Sequence, residues 1–430
     1  MRQFSWRWTL GVLVAALGVS ACLPQGVRLP QSEFLSIFER KAGVIAYLGA
    51  DGNIYVVDQS GSNPTAVTTD ARLGEEAYRV YSVPAWSGDG QQVAFAAYEG
   101  QANQNPTQNS LYVARRDGSG AVEAYRSPDY VIYYSWAPDG QRVGLLSATA
   151  GQALALKLVP AAGGDPQVLD AGAPFYWTWA PDSQSVFIHA NGAGGRLAFL
   201  DLGASVVERG LAAAPTAFKA PAYSPDGQQI LYASQTAAGQ PTLFLADRAG
   251  ANARSVAEFP ADIAFAWSPD GRRVAYISSP ELAGPITVVD PAGQQAPVTV
   301  EEEAYGFFWS PDNRWLAYLV VETVTEPEAT PQADAGPETA QVIWALKLMD
   351  AATGETRRLA RFQPTERFLQ LLPFFDQYHQ SLTIWSPDSQ NLVVSAYAGD
   401  GTPGIFIVPA SGTLEPRFIA AGWVGVWSWK

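Results

Sequence analysis

The chain has 430 residues, which allows two or three ordinary domains or one large repeat fold. Only 16% of it is charged, while Gly and Pro number 39 and 31 and aromatics reach 12%; this is a poor recipe for long surface helices and a good one for short strands joined by tight turns. A net charge of −14 argues against nucleic acid as a partner, and one Cys with two His excludes an internal disulfide framework and a zinc site built mainly from Cys and His.

Arg2 and Arg7 precede an apolar run over residues 9–19. It is too short to cross a bilayer as a helix and suits a signal-peptide core. It ends in Val19-Ser20-Ala21-Cys22, which resembles the bacterial lipobox. The resemblance implies removal of residues 1–21 as a lipoprotein signal peptide and lipidation of Cys22. The alternative is a plain secretory signal with an incidental Cys. A lipid on Cys22 would hold the protein, extracytoplasmic, on the cell membrane or outer membrane. Residues 22–41 then read as a tether, in which residues 32–41 (SEFLSIFERK) can form a short amphipathic helix with Phe34, Leu35 and Phe38 on one side.

From residue 42 onward one motif recurs. It reads WSGDG at 86–90, WAPDG at 136–140, WAPDS at 179–183, YSPDG at 223–227, WSPDG at 267–271, WSPDN at 309–313 and WSPDS at 385–389. Its Asp residues are spaced 50, 43, 44, 44, 42 and 76 apart, and the long interval holds an insertion. Ser-Pro-Asp-Gly suits a four-residue turn: Pro pre-sets φ, Asp bonds nearby backbone N–H groups, and Gly takes a left-handed fourth position. Asn313 tolerates that position, whereas Ser183 and Ser389 fit it less comfortably. An apolar run follows each turn, then a second β run and a weaker closing strand. Four strands in about 44 residues is the period of a β-propeller blade.

The chain ends read as one further unit. Residues 44–47 and 53–57 look like second and third strands without a preceding motif, and residues 422–429 (GWVGVWSW) look like a first strand. Pairing them gives an all-β, eight-bladed propeller over residues 42–430, closed by its N- and C-terminal strands and free of open sheet edges. A seven-bladed ring with the terminal pieces paired elsewhere is the alternative. The repeats resemble the WD40-like PD40 repeats of TolB-type propellers and of the propeller domain of dipeptidyl peptidase IV-type proteins. The α/β domain of the former and the hydrolase domain of the latter have no counterpart here.

Groups able to do chemistry are scarce. No G-x-S-x-G pentapeptide occurs, and His189 and His379 are the only histidines. The repeated Asp residues read as turn formers and His189 as a satisfied strand residue. No catalytic residue, metal site or cofactor is assigned. Three insertions, at 99–109, 322–341 and 363–381, fall on the face opposite the Ser-Pro-Asp-Gly turns. The last packs Phe368, Leu369, Leu371, Leu372, Phe374, Phe375 and Tyr378 into a short stretch. It either plugs the central channel or presents Phe374, Phe375, Asp376, Tyr378 and His379 to a partner. The resulting expectation is a monomeric, membrane-anchored, non-catalytic binding or scaffold module. Its partner would be a protein, peptide or glycan at the insertion-bearing face. The alternative is a peptidase-associated or glycan-active propeller enzyme.

Overall fold

The computed structural model describes residues 28, 30, 31, 41–148, 154–279, 283–324 and 341–430. Cys22, the signal-like run, residues 32–40 and residues 325–340 of the acidic insertion lie outside the described residues.

Each recurring motif folds as the turn its residues dictate. In five of them the Ser hydroxyl donates to the Asp carboxylate, at 2.5 Å for Ser310–Asp312, 2.6 Å for Ser87–Asp89 and Ser224–Asp226, and 2.7 Å for Ser268–Asp270 and Ser386–Asp388. The same carboxylate oxygen accepts the backbone N–H two residues on, from Gln91, Gln228, Arg272, Arg314 and Gln390. Gly90, Gly140, Gly227 and Gly271 take φ of 67° to 70°, and Ser183, Asn313 and Ser389 take 60°, 64° and 60°.

The three non-glycine residues have a use that glycine lacks. Ser183 Oγ accepts the Asp139 N–H at 2.9 Å, Asn313 Oδ1 accepts the Asp270 N–H at 2.8 Å, and Ser389 Oγ accepts the Asp312 N–H at 3.0 Å. Each acceptor belongs to the turn that follows, so left-handed strain is exchanged for a hydrogen bond between neighbouring repeats.

The turns connect antiparallel strands. The sheets at 130–172, 175–210 and 222–258 have four strands each, in sequence order. Two long strands, Val298–Trp309 and Arg417–Trp427, bend from one repeat into the next. The first pairs with Gly284–Val289 through its N-terminal half and with Trp315–Val324 through its C-terminal half. The second pairs with Pro403–Pro409 and then with Ile45–Gly49. The two chain ends therefore meet in a ladder that includes Ile45↔Trp427, Ala46↔Val426 and Leu48↔Val424.

Two insertions are shorter than the sequence suggests. Glu99↔Gln108 and Val324↔Gln341 are paired, so the second and third strands of those repeats extend outward beyond their neighbours'. Hairpin pairing continues as long as cross-strand partners remain.

The motif Trp residues sit between sheets. Trp86 Nε1 donates to Val426 O at 3.3 Å, Trp136 to Ala85 O at 3.0 Å, Trp179 to Ser135 Oγ at 3.2 Å and Trp385 to Phe308 O at 2.9 Å. Each indole thus reaches back to the first strand of the preceding repeat. Trp427 is 1% exposed and donates to Ala42 O at 2.7 Å, tying the C-terminal strand to the incoming chain. Trp427→Ala is expected to lower the unfolding free energy by about 3–5 kcal/mol, as for other large aromatics deleted from cores. An unchanged denaturation midpoint would show that the terminal ladder lies outside the cooperative unit.

Candidate functional site

The 363–381 insertion does not precede a first strand; it interrupts one. Gln363 O accepts the Tyr397 N–H at 2.8 Å and Thr365 N donates to Ser395 O at 3.1 Å. After the insertion the same strand position resumes, with Ile384 O accepting the Val393 N–H and Trp385 bridged to Leu392. The segment between leaves from the innermost position of its repeat and returns to it. It consists of two short α-helical turns, Glu366–Leu369 and Phe375–Tyr378, with a 3-10 turn, Leu372–Phe374, between them. Thr365 caps the first, accepting the Phe368 N–H at 3.4 Å and donating its hydroxyl to Trp423 O.

The second α-helical turn meets the first strands of several repeats. Gln377 Oε1 accepts the Trp177 N–H at 3.0 Å, and its Nε2 donates to Trp177 O at 2.9 Å. Tyr133 donates its hydroxyl to Gln377 O at 3.2 Å. Asp376 Oδ2 accepts the Ala220 N–H at 2.9 Å, and Gln380 Nε2 donates to Pro221 O at 3.2 Å. Phe375 lies 5.1 Å from Phe307 and 5.5 Å from Phe308, ring to ring, and a Cβ on Gly306 would stand 3.0 Å from its ring. The Tyr378 ring meets Tyr133 edge-on at 5.0 Å. The insertion therefore fills the space on which the first strands converge.

The five residues singled out from the sequence separate accordingly. Phe375 and Asp376 are buried, Tyr378 and His379 are partly buried, and Phe374 is 50% exposed. His379 stacks on Phe375 at 5.1 Å, and its Nδ1 faces Phe375 O at 3.0 Å, a contact that requires the proton on Nδ1. Removal from water pushes its pKa down to about 4, partly offset by that carbonyl. Burial lifts Asp376 above the usual carboxylate range, with Lys219 opposing. His189 is 1% exposed, as a strand residue should be, with ring nitrogens against Lys219 O and Gly192 O.

Three neighbours were not legible as site residues. Lys219 pairs with Asp262 at 2.5 Å, and both line a cavity of about 40 Å³ together with Asp376. Gln377 carries the polar contacts of the segment. Its only signal was an amide inside an aromatic run.

Around the filled centre the same face is aromatic. Tyr176 stacks on Phe218 at 4.3 Å, Tyr305 lies 5.0 Å from Trp344, and Tyr98 stacks on Tyr130 at 5.0 Å. Tyr130 and Ile132 are 46% and 39% exposed.

No family model matches the chain, and no curated protein matches it. Solved structures do. The chain is similar to the dihydro-heme d1 dehydrogenase NirN in complex with DHE, at 13% identity and a TM-score of 0.55 over 94% of this chain and 77% of that one. It is similar to an oligogalacturonate lyase in complex with manganese, at 14% identity and a TM-score of 0.51 over 87% of this chain and 98% of that one. TolB from Acinetobacter baumannii matches at 14% identity and a TM-score of 0.39 over 81% of each chain. The likeness to NirN and to the lyase shows the fold, an all-β propeller. The same fold carries proteins of different function, so activity does not follow from it.

Two outcomes test the central segment. Gln377→Leu leaves both backbone groups of Trp177 without partners, and a loss of about 2–4 kcal/mol is expected in denaturant unfolding. Stability also carries a proton linkage. His379 has a folded pKa below its ordinary 6.5. Its contribution is therefore complete above that value and falls as pH drops toward 4. The wild type should lose up to about 3 kcal/mol more than His379→Gln between pH 6.5 and 4. Parallel pH profiles would place the imidazole in water.

Proposed function

We propose that the protein is a non-catalytic binding or scaffold module, a single propeller of eight repeats closed by its two chain ends and anchored through a lipid on Cys22. Eight repeats follow if the two sheets that share bent strands are divided at Ala304 and between Ala421 and Gly422, where the pairing passes from one neighbour to the next. The pairing of Ile45–Gly49 with the C-terminal strand supports closure. The chain enters on the turn side: Val44 N–H is held by Ser428 Oγ, and a Cβ on Gly43 would stand 2.9 Å from Pro387 of the last motif. An anchor upstream of residue 41 leaves the insertion-bearing face pointing away from the membrane, toward a protein, peptide or glycan.

The observation that carries the binding reading is the division of labour within that face. Gln377 and His379 are spent on backbone partners, and one carboxylate oxygen of Asp376 accepts the Ala220 N–H. Phe374, Tyr130 and Ile132 remain as large apolar side chains open to solvent around a rigid centre. Rigid, exposed aromatics are the residue types that dominate recognition surfaces. The test is capture of partners from membranes by the lipidated chain and by a Phe374→Ala/Tyr130→Ala variant. Recovery of the partner is expected to fall about tenfold or more in the variant, with circular dichroism unchanged. Equal recovery would move the binding surface off this face.

A further inference from the structure

The centre of the insertion-bearing face is short of one positive charge. Asp376 is 4% exposed, and apart from its own backbone amide its carboxylate takes a hydrogen bond, among the described residues, from the Ala220 N–H. Lys219 is ion-paired with Asp262 at 2.5 Å and forms no ion pair with Asp376 among the described residues. Two carboxylates thus share a neighbourhood with a single ammonium group. A buried carboxylate without a cation is costly, and it either holds a proton or takes a partner.

The place for such a partner exists. The cavity of about 40 Å³ is bordered by Lys219, Asp262 and Asp376 on its polar side and by Ile277, Leu372 and Pro373 on its apolar side. About 10–15 Å³ of such space holds one water molecule, so the cavity has room for a small ammonium group together with a water or two. A planar guanidinium is larger, and an amino terminus carries its branched backbone next to the charge. A lysine delivers a compact charge on a slender stem, and apolar walls suit its methylenes.

We propose that this cavity receives the primary ammonium group of a lysine from a protein docked on the insertion-bearing face. The inference rests on the binding role proposed above and specifies its partner. A chain of net charge −14 also favours a basic partner. The other titratable groups near Asp376 are Lys219, Asp262, Tyr176, Tyr305, Tyr378 and His379. Lys219 alone among them is a cation, and it is already paired.

The experiment follows thermal unfolding and titration calorimetry of the full chain with four probes: methylammonium, N-acetyl-lysine amide, tetramethylammonium and N-acetyl-norleucine amide. The first two should bind saturably and raise Tm, and the last two should not. Asp376→Asn keeps the shape and can still accept the Ala220 N–H; it should weaken methylammonium at least tenfold and remove the strengthening seen as pH rises through ionisation of Asp376. Should Asp376→Asn fail to fold, Lys219→Met supplies the second reading, because two carboxylates then lack any cation and methylammonium should bind about tenfold tighter. An equal response of wild type and Asp376→Asn, a tetramethylammonium response matching that of methylammonium, or unchanged affinity in Lys219→Met would each overturn the proposal. Methylammonium binding without partner capture on this face would instead count against the docking role and leave the cavity assignment standing.

Discussion

A circle of sheets leaves an unpaired edge where its first strands face one another, and that edge must be satisfied or exposed to water. In this protein the Gln377 side chain does what a further strand cannot. Its amide accepts from Trp177 N and donates to Trp177 O, the two bonds that a strand neighbour would make. Asp376 and Gln380 repeat the device at Ala220 N and Pro221 O. A short polar row on one helical turn thereby satisfies edge groups from different repeats. The aromatic residues on either side exclude water and strengthen these bonds.

The rest of the architecture is held by contacts between successive repeats. Four motif indoles reach back to preceding first strands, and Ser183, Asn313 and Ser389 reach back to preceding turns. Repeats linked only to neighbours would behave as a one-dimensional array. The central segment breaks that pattern, because it touches sheets that are far apart in the chain. Tyr133 and Gln377 are 244 residues apart, and Ala220 and Asp376 are 156 apart. Long-range closure of this kind favours a single cooperative unit over a chain of separable blades.

Much of the fold was legible because its rules are local. Seven turns announced themselves by Pro, Asp and Gly or their substitutes, and each motif Trp or Tyr marked the end of a first strand. Pairing between residues 44–47 and 422–429 followed from counting strands, and a ladder that includes Ile45↔Trp427 joins those segments. The bent strands Val298–Trp309 and Arg417–Trp427 were not legible, because nothing in their sequence separates one long strand from two short ones. The site was less visible for a related reason. An aromatic-rich segment signals packing, but the direction of each side chain on a four-residue helical turn depends on partners elsewhere in the sequence. Asp376 and His379 turn inward for that reason, and Phe374 does not. Lys219 lies before a Tyr223 turn with no motif of its own and becomes interesting only beside Asp262 and Asp376.

Hydrogen exchange followed by mass spectrometry on the intact protein tests the central claim most directly, since it reports whether backbone groups at the centre open with the whole molecule or apart from it. If the segment is the keystone of the first strands, amides of residues 365–381 and of Trp177 and Ala220 exchange only through global unfolding, at the rate of the strand cores. Rapid exchange of 365–381 and of those two amides, with the strand cores still protected, would contradict the account and make the segment a passenger on a ring that stands without it.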